Sequence, residues 1–132
     1  MKRRTTRTRR TAAAIALGIA AAVALPSVAA AKSGDVRRAG TCNTSATSKL
    51  KLSPENGRIE VEFEVDQNRR GVRWRVVVTR NGARVFRGVR VTGGPSGSFT
   101  VRRVIGNRPG RDRVVARAVN PAGKVCRAVA VF

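Results

Sequence analysis

Residues 58–66 read Arg-Ile-Glu-Val-Glu-Phe-Glu-Val-Asp, with Ile59, Val61, Phe63 and Val65 alternating with Glu60, Glu62, Glu64 and Asp66. Successive side chains of a β-strand point to opposite faces, so this run has one apolar face for a core and one acidic face for solvent. The same period of two returns after a turn at Asn68, Arg69, Arg70 and Gly71, where Val72, Trp74, Val76 and Val78 alternate with Arg73, Arg75, Val77 and Thr79. Pairing Gln67 with Val72 would set Asp66 opposite Arg73, Glu64 opposite Arg75, Val65 opposite Trp74 and Phe63 opposite Val76, matching charge with charge and hydrophobe with hydrophobe. The acidic row could also be read as a glycosidase pair or a calcium site, since alternate strand residues lie roughly 7 Å apart on one face. A solvated ladder against Arg73 and Arg75 accounts for it without the ligand loop or pocket those chemistries need.

Asn81-Gly82 is the strongest hairpin signal in the chain, because both residues tolerate the positive φ of a type I′ turn. It predicts Val78 opposite Val85, Trp74 opposite Val89 and Val72 opposite Val91. That register turns Arg87 inward, which is costly for an unpaired charge, so a bulge at Gly88 is expected to rotate it out. Thr92–Gly97 reads as a flexible loop and Ser98–Val104 as a strand. Gly106–Arg111 is a Gly/Pro turn, and Arg113–Val119 and Lys124–Val131 are two strands joined by a β-turn at Asn120–Gly123. With Ser48–Leu52 this makes seven strands separated by turn signals, the pattern of a β-sandwich.

Upstream, Met1–Arg10 holds six basic residues and no acid, and Thr11–Ala31 is an uncharged, Ala-rich run ended as a helix by Pro26. This is the layout of an export signal, with small residues placing cleavage after Ala31 or Ala30. An uncleaved anchor is the competing reading. Both the general secretory and the twin-arginine routes remain open, the latter through Arg9 and Arg10. The organisation expected is a signal peptide over 1–31, an extended polar leader over 32–47 and a sandwich domain over 48–132, secreted and without stable membrane insertion after cleavage.

Cys42 and Cys126 are the only cysteines, in a chain addressed to an oxidising compartment, and a disulfide between them is expected. Closing so long a loop stabilises the fold by roughly 4.5 kcal/mol in the chain-entropy model. The simplest pairing through Asn120–Gly123 sets Ala118 against Val125 and sends Cys126 to the outer face, where the bridge would clamp the leader across a sheet surface.

Val114, Ala116, Ala118, Asn120 and Gly123, within Val-Val-Ala-Arg-Ala-Val-Asn-Pro-Ala-Gly, resemble the penultimate strand and following turn of fibronectin type III and related immunoglobulin-like domains. Trp74 stands where such domains often place a core Trp, and Asp112 stands where that strand commonly opens on Tyr. The resemblance implies an all-β, seven-stranded, immunoglobulin-like antiparallel sandwich after the signal helix. As a whole the chain also resembles small secreted proteins of high-GC actinobacteria, with an Ala-rich signal and heavy arginine usage.

The 132 residues carry 28 Lys or Arg against 7 Asp or Glu, a formal +21, with 42% hydrophobic residues, enough for a core and too many for a disordered polycation. Six of those bases belong to residues 1–31, which leaves 22 against 7, about +15. There is no His, so Ser-His or Cys-His catalysis and imidazole zinc sites are excluded, and Gly94-Pro95-Ser96-Gly97 fails the nucleophile-elbow pattern at Ser98. No enzyme, cofactor or metal is expected. On the expected register Arg73, Arg75, Arg84 and Arg90 lie on one exposed face with Phe86 opposite Val77, and a fibronectin-like strand order adds Arg113 and Arg117. Such a face suits phosphate, sulfate or carboxylate, which points to anionic cell-envelope polymers (wall teichoic or uronic), anionic lipid surfaces or released DNA, without specific nucleic acid binding, by a monomer. A codon bias towards Arg, which outnumbers Lys 18 to 4 after residue 31, is the competing account of the charge. A protein-interaction module, an inhibitor or adhesin using a loop or sheet edge, is the alternative function.

Overall fold

The structure, a computed structural model, describes residues 34–132. The signal helix and the cleavage point at Ala31 lie outside the described residues. Nine strands follow in order: β1 (Val36–Ala39), β2 (Thr41–Cys42), β3 (Thr47–Glu55), β4 (Arg58–Asp66), β5 (Arg73–Arg80), β6 (Ala83–Val91), β7 (Ser98–Gly106), β8 (Arg113–Val119) and β9 (Val125–Val131). They form two antiparallel sheets, β1-β3-β4-β7 and β2-β9-β8-β5-β6. The described chain is all-β, with the sheets packed as a sandwich.

The alternating runs supply the core. Ile59, Val61, Phe63 and Val65 of β4 are fully buried, with Leu50 and Leu52 of β3, Trp74, Val76 and Val78 of β5, Val101 of β7, and Val114, Ala116 and Ala118 of β8. Burying each large aliphatic or aromatic side chain contributes about 1.5–3 kcal/mol, and these residues hold the sheets together. Phe99 stands between Phe63 and Trp74, its centroid 6.5 Å and 6.3 Å from theirs. Trp74 keeps its indole N–H satisfied by donating to Gln67 Oε1 at 2.8 Å.

Three expected pairings differ. β4 and β5 do not form a hairpin, because they belong to opposite sheets. The intervening residues contain two left-handed positions, Asn68 at φ 56° and Gly71 at φ 79°, and they carry the chain across the sandwich. Val65 and Trp74 therefore both contribute to the core without sharing a sheet, which alternation alone does not distinguish from a hairpin. The acidic row of β4 consequently meets Lys49, Lys51 and Arg102 instead of Arg73 and Arg75.

The Asn81-Gly82 turn is present, with φ of 48° and 81°, but the bulge lies beside it. Val78 pairs with Phe86 and Thr79 with Arg84, so Val85 is the extra residue. This shift performs, three residues earlier, the rotation expected of Gly88: Arg87 is exposed opposite Val77, while Phe86 and Arg90 take inward positions. Gly88 serves packing instead, since a Cβ there would meet Phe86 Cζ at 2.8 Å. The ring lies over this glycine at the open side of the sandwich, with Arg90 and Arg103 stacked on it at 5.1 Å and 5.4 Å.

The third difference is the last hairpin, where Val119 pairs with Val125 and Ala118 with Cys126. A one-residue change of register exchanges the faces, so Cys126 points inward and is fully buried. The disulfide with Cys42 is formed, between directly paired residues of β2 and β9, 84 positions apart in sequence. Part of the segment read as a leader adds two strands to the expected seven. β1 joins the first sheet, and the chain crosses at Gly40 to place β2 in the second. A Cβ at Gly40 would lie 2.2 Å from Ser48 Oγ and 2.6 Å from the Arg127 carbonyl, so only glycine permits this crossing. The Thr92–Gly97 segment is likewise tied in, with Thr92 and Gly97 buried, Gly93 bridged to Ser98, and the Gly97 carbonyl accepting from Gln67 N–H.

Candidate functional site

The outer face of the five-stranded sheet follows from the registers. Arg73, Arg75, Val77 and Thr79 point outward on β5, and Arg84, Arg87, Val89 and Val91 on β6. Arg113, Val115, Arg117 and Val119 point outward on β8, and Val125, Arg127, Val129 and Val131 on β9. Every arginine of this face is exposed, and the spaces between them are filled by valine. Val89, Val91 and Val131 are themselves 42%, 50% and 37% exposed.

No acid lies on this face. Glu60, Glu62, Glu64 and Asp66 are on β4, Glu55 ends β3, Asp35 precedes β1, and Asp112 is buried beside Arg80, Nε to Oδ1 3.7 Å. Among the described residues none of the seven outward arginines forms an ion pair. Arg117 and Arg127 are even in direct cross-strand register, an arrangement of like charges that opposes folding. The opposite face of the sandwich is compensated: Lys49 meets Glu64 at 3.0 Å, and Arg102 donates to Glu60 through Nε at 2.8 Å and through Nη2. The hydrogen bonds that Arg102 donates to Glu60, and then the charge of Glu60, raise the pKa of the Arg102 guanidinium further above its ordinary value.

Two shallow grooves mark this face. One, of about 350 Å³, is floored by Val77 and bounded by Arg75, Arg84, Arg87 and Arg117. The other, of about 330 Å³, is lined by Arg73, Arg75, Val89, Val119 and Pro121. Guanidinium groups present planar forks of N–H donors that match the oxygens of phosphate, sulfate and carboxylate, and here those forks have no carboxylate of their own chain to satisfy.

No family model, curated protein or solved structure matches the chain. Of the residues singled out from the sequence, Arg73, Arg75, Arg84, Arg113 and Arg117 share the outer face. Arg90 does not: it lies opposite Trp74 and stacks on Phe86. Arg87 and Arg127 were missed. Placing the bulge beside the Asn81-Gly82 turn would have exchanged Arg90 for Arg87, and one more residue in the Asn120 turn would have brought Arg127 opposite Arg117 and Cys126 inward.

Proposed function

We propose that the protein is a secreted, non-enzymatic binding module of the cell envelope, which docks on anionic polymer through the outer face of its five-stranded sheet. The observation that carries this reading is the segregation of charge: seven exposed arginines share one face with no acid, while Glu60, Glu62 and Glu64 pair with Lys or Arg on the other sheet and Asp112 is buried beside Arg80. A purely compositional excess of arginine gives no reason for that sorting. Export is supported by the signal pattern of Met1–Ala31 and by the Cys42–Cys126 disulfide, a bond characteristic of oxidising compartments. An immunoglobulin-like sandwich of the fibronectin type III kind is supported by the orders β3-β4-β7 and β6-β5-β8-β9 within the two sheets.

The second reading, a protein-interaction module, is favoured by β6, an outermost strand that pairs only with β5 and so offers backbone groups to an added strand. Ionic strength separates the two. Retention of the protein on an immobilised polyanion should be strong at low salt and fall steeply as salt rises. Binding to envelope fractions that is insensitive to salt would favour the strand-edge reading and count against the arginine face.

A further inference from the structure

The two grooves are contiguous, and their arrangement goes beyond a general affinity for polyanions. They share Arg75, Val89 and Val119. In the first, Val77 is a low apolar floor with Arg117 directly across on β8 and Arg87 directly across on β6, while Arg75 stands next along the same face of β5. Cross-strand neighbours have Cβ atoms roughly 5 Å apart, so three arginines border one basin on three of its sides. A planar carboxylate accepts such forks in its own plane, whereas a tetrahedral anion also accepts out of plane. The second basin lies one step further along β5, between Arg75 and Arg73, a displacement of roughly 7 Å set by the rise of two strand residues. At the row of Arg75 the flanking residues are apolar, Val89 on one side and Val119 on the other. The track is thus two arginine-lined basins in a row, with Arg75 between them flanked by Val89 and Val119.

Resting on the polyanion reading above, we propose that the ligand is a linear polyol-phosphate chain. It lies along β5 with consecutive phosphodiesters in the two basins and the carbons that link them passing Arg75 between Val89 and Val119. Single-stranded nucleic acid shares the phosphodiester chemistry, but proteins that bind it stack its bases on aromatic side chains. The outward positions of this sheet are Arg, Val and Thr, and Trp74 and Phe86 point inward.

The test is calorimetric titration of the protein at low salt with synthetic glycerol-phosphate oligomers of one, two and more phosphates. Oligothymidylate and polyglutamate of matched charge serve as comparison probes. The second phosphate should raise affinity by about tenfold or more, because it enters an adjacent site at high effective concentration. Arg73→Gln should remove that gain, so that the longer oligomers bind little tighter than the monophosphate. Arg73 is exposed and makes no ion pair among the described residues, so the variant is expected to keep the fold, which circular dichroism verifies. If affinity follows total charge alone, so that polyglutamate or oligothymidylate binds equally well, or if Arg73→Gln weakens every length alike, the two-basin track is wrong and the polyanion reading stands. If none of the probes binds, both fail.

Discussion

Arg117 and Arg127 face each other across β8 and β9 in direct register, and no carboxylate pairs with either among the described residues. Cross-strand pairs contribute about 0.2–1 kcal/mol, and like charges take that amount from stability. Arg127→Glu should therefore raise the unfolding free energy measured by urea titration by an amount within that range, with the gain shrinking as salt screens the charges. The same substitution should weaken polyanion binding. A variant that gained stability and lost no binding would remove this pair from the docking face.

The Arg80–Asp112 pair is buried beneath the turn between β7 and β8, where Arg80 also donates to the Gly106 carbonyl and Asp112 Oδ2 accepts from the Arg108 N–H at 3.2 Å. Removing one partner leaves a buried charge, so Asp112→Ala should destabilise by about 3–5 kcal/mol. Arg80→Met combined with Asp112→Leu should recover most of that loss, since an apolar replacement of both members removes the desolvation of both. Chemical denaturation of the single and double variants measures the difference.

How far the fold was legible is visible in particular residues. Alternation along Arg58–Asp66 and Val72–Thr79 identified the apolar faces, and the Asn81-Gly82 turn was where the sequence placed it. Sheet membership was not legible, because Val65 and Trp74 are inward whether their strands pair or face each other across the core. Register was also lost at two hairpins. The bulge at Val85 and the length of the Asn120 turn go with the packing of Phe86 against Arg103 of β7 and of Cys126 against β2, contacts distant from the local pattern. Each one-residue error reversed a face, exchanging Arg90 for Arg87 and turning Cys126 outward. Five of the seven face arginines were nonetheless named from sequence, because the facing of β5 and β8 does not depend on either error and Arg84 lies between the Asn81-Gly82 turn and the bulge.

Gly94 and Gly97 differ in one respect that can be measured. Both have positive φ, 63° and 64°, but a Cβ at Gly94 meets nothing within 4 Å, whereas one at Gly97 would lie 2.3 Å from Arg69 N. Gly94→Ala should cost about 1 kcal/mol for the backbone conformation alone. Gly97→Ala should cost more, by about 1–3 kcal/mol for the displaced backbone of Arg69. Equal losses in thermal unfolding would mean that the β4–β5 and β6–β7 connections are not packed together.

The Cys42–Cys126 bridge holds the short strand β2 in place. Replacing both cysteines by Ala should lower stability by about 2–5 kcal/mol. Hydrogen exchange should show protection lost first at Thr41 and Asn43, the latter bonded through its N–H to the Val125 carbonyl at 3.0 Å. Unchanged exchange there would show that β2 is held by its ladder alone.

The central claim is that position, not net charge, makes this protein a polyanion-binding module. It is tested most directly by comparing two variants of equal charge. One carries Arg75→Gln, Arg87→Gln and Arg117→Gln on the outer face of the five-stranded sheet. The other carries Arg38→Gln, Arg70→Gln and Arg108→Gln, all exposed and off that face. Calorimetric affinity for one polyanion at a single low salt concentration should fall by about a hundredfold in the first, which loses three charge-assisted contacts. It should fall several-fold at most in the second, through the general reduction in charge. Equal losses in the two variants would contradict the account and assign the binding to net charge.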